Sequence, residues 1–388
     1  MTQGDRQFDL AILGAGCAGL SLAARLAAAN SSLRVVLVEP RDGYTEDRTW
    51  CGWRLQPHFF EDCNVAEWNH WQLSKDGQTL KRSSQSYPYE MLSASKVYDK
   101  ALRTISGSRS ITLMLGVQAT KHREDEGEVE IELDNGKRLK ARWVVDTRPR
   151  LAAIKHPWLW QSFVGIVAQL RGPEADFERS LPLLMDFQSD APGLIDFMYI
   201  LPVGDRSYLF EYTRFSAHRA AAFELESRLQ SWLARHAAQA GNSWQELRRE
   251  SGDLPMAKVE PPGSRRIVLA GARGGSMRIA TGYAFHNIQR WADECATTLL
   301  QDGKPIGPRK NGFLDWMDEL FLRVLQRPDV LPEQVMWSLF AESEPDALVR
   351  FLSGQPRIGD YWPVVRGLPW SKFVATAAVN LSPLKSAP

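Results

Sequence analysis

Hydrophobic residues recur along this chain at two periods, and the changes of period mark out its elements. An unbroken apolar run at residues 10–13 leads through a glycine-rich turn to Leu22, Ala23 and Leu26 at helical spacing, and a second run fills 35–38. Strand, helix and strand are expected in that order. The polar stretch 40–53 reads as a loop ending in Trp50 and Trp53. Aromatic and polar positions then alternate across 66–90, where Trp68, Trp71, Leu73, Tyr87 and Tyr89 predict strands of a second sheet. A helix with a glycine stop is expected over 93–105, and strands over 111–115 and 129–133, the latter closed by the hairpin signal Asp134-Asn135-Gly136. Residues 142–147 read as a buried strand returning to the first sheet.

From Phe163 the pattern changes. Runs of β-forming residues at 163–170, 181–187, 197–201 and 207–215 predict an antiparallel sheet, and Leu225, Leu229, Trp232 and His236 mark one face of a long amphipathic helix. Residues 267–271 form another apolar strand, with a helix expected over 287–300. Beyond Pro308 the spacing is helical and the residues bulky, including Phe313, Trp316, Leu320, Phe321, Leu325, Trp337, Phe340, Phe351 and Leu352. The tail, 368–388, is expected as a short helix or a partly disordered segment.

The first turn carries the chemistry. Gly14-Ala15-Gly16-Cys17-Ala18-Gly19 sits between strand and helix, and Glu39 ends the second strand. In such a unit the first glycine makes the tight turn, the second admits backbone N–H groups to a pyrophosphate, and the third lets helix and strand pack. The helix N-terminus adds partial positive charge, and the acid accepts from ribose hydroxyls. This order of strand, turn, helix, strand and acid predicts dinucleotide binding. Its place near the N-terminus favours a tightly held flavin dinucleotide over a nicotinamide. Near the other end, Gly271-Ala272-Arg273-Gly274-Gly275 and Thr281-Gly282-Tyr283 occupy the place where such folds meet the flavin; the acid usual after the first glycine is replaced by Ala272.

Composition narrows the rest. At 388 residues the chain can build a large core, and 47 basic against 46 acidic side chains leave a net charge of +1, so no global field draws it to nucleic acid. Four cysteines and seven histidines show no metal-ligand spacing, so no metal is expected, and the cysteine usage suits a reducing, cytoplasmic setting. Residues 1–6 lack the apolar core of a signal peptide, and no apolar span reaches the about 18 residues of a membrane helix. Fourteen tryptophans suggest an apolar ligand surface or a membrane-facing patch, or else simply fill a large core.

Taken together, several short segments resemble bacterial lycopene β-cyclases. They include the glycine turn with Glu39, Thr49-Trp50, Val145-Asp146, Phe163-Val164-Gly165, Leu184-Met185-Asp186, Phe210-Glu211-Tyr212-Thr213, Leu254-Pro255-Met256 and Thr281-Gly282-Tyr283, with 317–325 and 349–352 near the end. The similarity covers nearly the whole chain. Two segments depart: Tyr212-Thr213 stands where an acidic pair is common, and Arg278-Ile279-Ala280 replaces a His-Pro. The resemblance implies an α/β fold: a Rossmann-type FAD-binding domain from 1–55, 91–160 and 262–302, an interleaved antiparallel β-sheet substrate domain from 56–90 and 161–261, and a C-terminal helical region over 303–388. It implies FAD held by Gly14, Ala15, Gly16, Cys17, Ala18, Gly19, Glu39, Arg48, Thr49, Gly271, Gly274, Gly275, Thr281 and Gly282, active when reduced, with NAD(P)H as the indirect electron source. The reaction implied is cyclisation of the linear ends of a long apolar polyene without net redox change. A substrate of that kind resides in a bilayer, which implies peripheral contact with the inner face of the cytoplasmic membrane.

The same resemblance makes Glu211 the general acid. Alternation along 208–213 puts Glu211 on one face with Leu209 and Thr213, and Phe210 and Tyr212 on the other. Apolar neighbours should raise its pKa by desolvation and keep it protonated at pH 7. The structural alternative is a sheet glutamate paired with Arg214 or another base on a solvated face. Asp186 and Asp196 could position Glu211 or cap turns, Arg48 could meet the pyrophosphate or lie on the surface, His286 reads as a capping or core residue, and Asp146 as support for the flavin site. Competing functions are a flavin monooxygenase or halogenase on the same scaffold, a cyclase of another prenyl-type substrate, and a flavin-retaining protein that only binds an apolar ligand.

Overall fold

The computed structural model describes residues 7–149, 157–171, 181–188, 192–204, 206–240, 243–259 and 264–381. The leading residues 1–6, and the end of the tail from 382, lie outside the described residues. The chain opens with β1 (Gln7–Leu13), α1 (Cys17–Ala28) and β2 (Val35–Val38), as its apolar pattern predicts. It continues through β3 (Thr49–Trp53), β4 (Asn64–Trp68), β5 (His70–Lys75), β6 (Gln78–Ser83), β7 (Tyr89–Ser93), α2 (Ala94–Ser106), β8 (Ile111–Met114), β9 (Ala119–Glu124), β10 (Val129–Leu133) and β11 (Arg138–Asp146). The middle carries β12 (Leu159–Arg171), β13 (Leu183–Phe187), β14 (Ile195–Gly204), β15 (Ser207–Ser216), α3 (Ala222–Ala240) and β16 (Ser243–Met256). Then come β17 (Ile267–Leu269), the single-turn α4 (Gly271–Gly274), α5 (Phe285–Asp302), α6 (Gly312–Leu325), α7 (Pro332–Glu342), α8 (Pro345–Leu352), α9 (Tyr361–Val365) and α10 (Trp370–Leu381).

These strands form three sheets. In the first, β8, β2, β1 and β11 are parallel neighbours; the far edge of β11 is shared by antiparallel β10, which leads on to β9, and by parallel β17. All four residues of β2 are buried, which an unbroken Val-Val-Leu-Val run requires of a strand covered on both faces. Helices α1, α2 and α5 pack on one side of this sheet. Arg25 of α1 pairs with Asp293 of α5, and Gln289 Nε2 donates to Ser21 Oγ at 3.0 Å, so the two helices are clipped together.

The second sheet runs β16-β12-β15-β14-β13-β5-β6, antiparallel except for β13 against β5. Alternation sorts its residues. Tyr208, Phe210 and Tyr212 face α3, where Leu225, Leu229 and Trp232 are buried, while Leu209 and Phe215 join the core under the C-terminal helices. The small third sheet, β3-β7-β4, bridges the two larger ones.

Two sequence expectations need correction here, and one strand was not expected at all. The stretch ending in Trp50 and Trp53 is not loop throughout: residues 49–53 pair with β7, Trp53 opposite Tyr89. Trp68 and Trp71, expected in one sheet, fall in two, because the chain leaves β4 for β5 across a single residue. Strand β16 has no apolar alternation to announce it; a ladder of thirteen pairs with β12 supplies its partners.

Candidate active site

At the turn after β1, Gly14 has φ of +93°, a conformation that side-chain-bearing residues rarely adopt. A Cβ on Gly19 would lie 2.0 Å from the Gly14 carbonyl oxygen, so this glycine is demanded by packing of α1 on its own turn. A Cβ on Gly16 would meet nothing within 4 Å. Space lies open at the helix N-terminus. Glu39 is buried, with Oε2 accepting from the Ala15 N–H at 2.6 Å and Oε1 from Arg41 Nε at 2.7 Å. A carboxylate has about four lone-pair sites, so acceptor capacity for a ribose hydroxyl remains. Cys17 lies against Gln289, its thiol pushed up to about 12 by burial. Beside the turn, Asp146 pairs with Arg148 at 2.8 Å, and Thr147 Oγ1 donates to the Gly14 carbonyl at 2.9 Å.

The second glycine cluster divides in the same way. A Cβ on Gly271 would lie 3.1 Å from that of Ala18, and one on Gly274 2.5 Å from the Leu269 carbonyl oxygen, so both serve close packing. Gly275 (φ +93°), Gly282, Arg48 and Thr49 instead border a cavity of about 750 Å³ that reaches from Pro149 and Ala272 to Glu211. Arg48 also pairs with Asp47 at 2.8 Å. Thr281 turns the other way, towards the C-terminal helices, its hydroxyl donating to the Leu352 carbonyl at 3.4 Å. The glycine turn, the carboxylate and the open glycine-lined cavity fit FAD as a cofactor.

Glu211 stands where this cavity meets a second, of about 200 Å³, lined by Tyr89, Gln161, Phe197, Tyr199, Leu209, Phe215, Phe340 and other mostly apolar residues. Its own strand presents it as alternation predicts. Burial and the charge of Glu250 raise its pKa to about 8 against the hydrogen bond from Thr213 Oγ1 at 2.7 Å. Arg214, the partner proposed by the structural alternative, is bound elsewhere: it pairs with Asp196 at 2.7 Å on the α3 side. Asp196 also accepts from Tyr212, and Asp186 from the Trp232 indole, so neither positions Glu211.

Sequence reading missed the contacts made by several groups around this junction. Tyr199, opposite Glu211 in the ladder, shares a 2.8 Å hydrogen bond with Tyr89. His286 and His58 both approach Glu90 Oε1, at 2.8 and 2.7 Å. Burial alone would raise Glu90, but these two imidazoles outweigh it and bring the carboxyl to about 2, while burial lowers His286. His58 Nδ1 accepts from the Phe60 N–H, so its Nε2 carries the proton donated to Glu90. The three-residue cluster braces β7 against α5, beneath Gly52, where a Cβ would sit 3.0 Å from His286 Nδ1. No sequence spacing could have signalled it, since Glu90 and His286 are 196 positions apart.

Beyond the smaller cavity lies a third, about 300 Å³ and almost wholly apolar, between α6, α7, α9 and α10; Ala280, Thr281, Met336 and Leu352 border both. Arg278 fixes this wall. Its guanidinium pairs with Asp318 at 2.7 Å, donates to the Phe351 carbonyl and lies 4.6 Å over the Phe351 ring. The departure at 278–280 noted in the sequence is thus a buried clamp between the Thr281 segment and the C-terminal helices.

Among solved structures the chain is similar to a geranylgeranyl bacteriochlorophyll reductase-like protein from Thermoplasma acidophilum, at 14% identity and TM-score 0.62, covering 97% of this chain and 100% of that one. It is also similar to p-nitrophenol 4-monooxygenase from Pseudomonas putida, at 14% identity and TM-score 0.58, covering 98% and 100%. Likeness at that identity is one of fold: the chain shares the mixed α/β, Rossmann-type architecture of these two proteins. The chain belongs to the lycopene cyclase family, whose model, described as lycopene cyclase protein, matches residues 9–377. A lycopene beta-cyclase from Paracoccus sp. is 24% identical over 389 residues, covering 93% of this chain and 94% of its own.

Proposed function

We propose that this chain binds FAD and catalyses a cyclisation without net redox change, closing the linear ψ-ends of lycopene or a like prenyl-type polyene to β-ionone rings. The observation that carries this reading is the place of Glu211: a carboxyl raised to about 8 by burial and the charge of Glu250, at the junction of the large glycine-lined cavity and the smaller one bordered by Phe197, Leu209 and Phe215. Its proton adds to the terminal double bond of the polyene, and the neighbouring alkene attacks the resulting tertiary cation. Loss of one proton from the new ring restores neutrality, so no electrons are consumed. Reduced FAD, when bound, supplies negative charge that stabilises a developing cation in a dry pocket, where such an interaction is strong. The chain's part is to hold the proton on Glu211, orient the polyene end between Phe163, Leu254 and Tyr283, and exclude water.

A polyene reaches that point along the apolar cavity under the C-terminal helices. Trp316, Trp370 and Phe313 line it and are also partly exposed, with Trp362 nearby, so its mouth is an aromatic rim suited to a bilayer interface. Among the described residues no helix is long and apolar enough to cross a membrane. NAD(P)H, acting through a reductase, is the proposed source of the electrons that reduce the flavin.

The test is a lycopene incubation without oxygen, using chemically reduced flavin. β-Carotene should form with no stoichiometric consumption of NAD(P)H, and Glu211→Gln should lose about 100-fold or more of the rate with flavin content unchanged. Strict dependence on oxygen would favour a monooxygenase instead.

A further inference from the structure

Four residues on adjacent strands stand in one row across the second sheet: Glu250 of β16, Gly165 of β12, Glu211 of β15 and Tyr199 of β14. Residues in such a row point to the same face. Glu250 and Glu211 both border the large cavity, and the residue between them has no side chain. A Cβ on Gly165 would already lie 3.3 Å from that of Glu211, so a larger residue would crowd the glutamate. The chain has brought two carboxylates together across a glycine.

Glu250 is held by a closed set of contacts. Its Oε2 accepts from Arg248 Nη1 at 2.6 Å and from Thr49 Oγ1 at 3.0 Å, and Arg248 Nη2 donates to the same Thr49 hydroxyl at 2.6 Å. The side chain is buried, with a cationic partner on its own strand. Among the described residues no cation is paired with Glu211. From the elements around it come Thr213 of its own strand, Cys51 of β3, Tyr199 of β14 and Tyr283 before α5. Burial pushes the Cys51 thiol and the Tyr199 and Tyr283 hydroxyls well up, so they are neutral at pH 7. The charge that acts on Glu211 is therefore that of Glu250.

We propose that Glu250 is the fixed anion of this site, a positioning residue that holds the proton on Glu211 until the polyene end arrives. The inference rests on Glu211 as the donor. Two like charges facing each other in a poorly solvated cavity cannot both form at low cost, so tying one carboxylate to Arg248 and Thr49 leaves the proton on the other. A short connection follows: Thr49, on the strand that borders the cofactor cavity, carries a hydroxyl that fixes the anion behind the acid.

The experiment follows the protonated-carboxyl infrared band of purified holoenzyme against pH, the band of Glu211 being assigned by its loss in Glu211→Gln. In the wild type the band should persist to about pH 8. In Glu250→Gln its midpoint should fall by about one pH unit or more, and the alkaline limb of turnover should move with it. Glu250→Asp, which keeps the charge but draws it back, should fall between the two, and it carries the test if the Gln variant does not retain flavin. An unmoved midpoint in whichever variant folds would reduce Glu250 to a tie between β3 and β16, even if the rate drops. Full turnover in Glu211→Gln would instead remove the donor reading while leaving the shift of the band intact, so the two failures are distinguishable.

Discussion

Gly16 and Gly19 refuse a side chain for opposite reasons. Gly19 faces its own turn, where a Cβ would sit 2.0 Å from a carbonyl oxygen, so backbone would have to move. Gly19→Ala should cost about 3 kcal/mol or more of stability, readable as a fall in unfolding midpoint. Gly16 faces open space, so Gly16→Val should fold with its melting temperature little changed and emerge without flavin absorbance. Retained flavin in Gly16→Val would mean that the open space at Gly16 is not where the dinucleotide's phosphates lie. The motif announced both glycines, yet only the packed turn separates their duties. Glu211 was legible from alternation with its surroundings; Glu250 was not, because Arg248-Arg249-Glu250-Ser251 reads as a solvated charged stretch until β12 lies beside it.

At the scale of elements, β1, α1, β2 and the strands β12 to β15 follow from local pattern, since each carries its own apolar period. Strands β3, β9 and β16 do not, because their stability comes from neighbours distant in sequence. The Arg278 clamp belongs here too. It joins the segment before α5 to α6 and α8 through two side chains only 3% and 4% exposed. Arg278→Met should destabilise the protein by about 3 to 5 kcal/mol, because it strands a buried Asp318 charge; replacing both partners by apolar residues should recover much of that loss. Denaturant titration of the single and double variants reads the difference.

For the whole molecule, the proposed substrate route runs from the C-terminal cavity into the smaller one that Glu211 borders, the two sharing Ala280, Thr281, Met336 and Leu352. Its mouth carries the exposed Phe313, Trp316, Trp362 and Trp370, in two stacked pairs with ring centroids 5.8 and 6.1 Å apart. Replacing Trp316, Trp362 and Trp370 together by Ser should weaken sedimentation with anionic vesicles by about tenfold or more while flavin content is unchanged. Undiminished vesicle binding would place the membrane contact on another face. The tryptophans divide accordingly: Trp53, Trp71 and Trp291 fill cores, while Trp316, Trp362 and Trp370 are exposed at the C-terminal helices.

By itself the sequence determined the α/β class, the glycine turn with its acid, the run of antiparallel strands and the face on which Glu211 lies, because each is written in spacings of a few residues. Only the tertiary structure decided what that face meets. Glu250 beside Glu211, the two histidines on Glu90, and the helices that roof an apolar passage all join positions far apart in the chain, and ladder pairing and packing, which carry no local signature, bring them together.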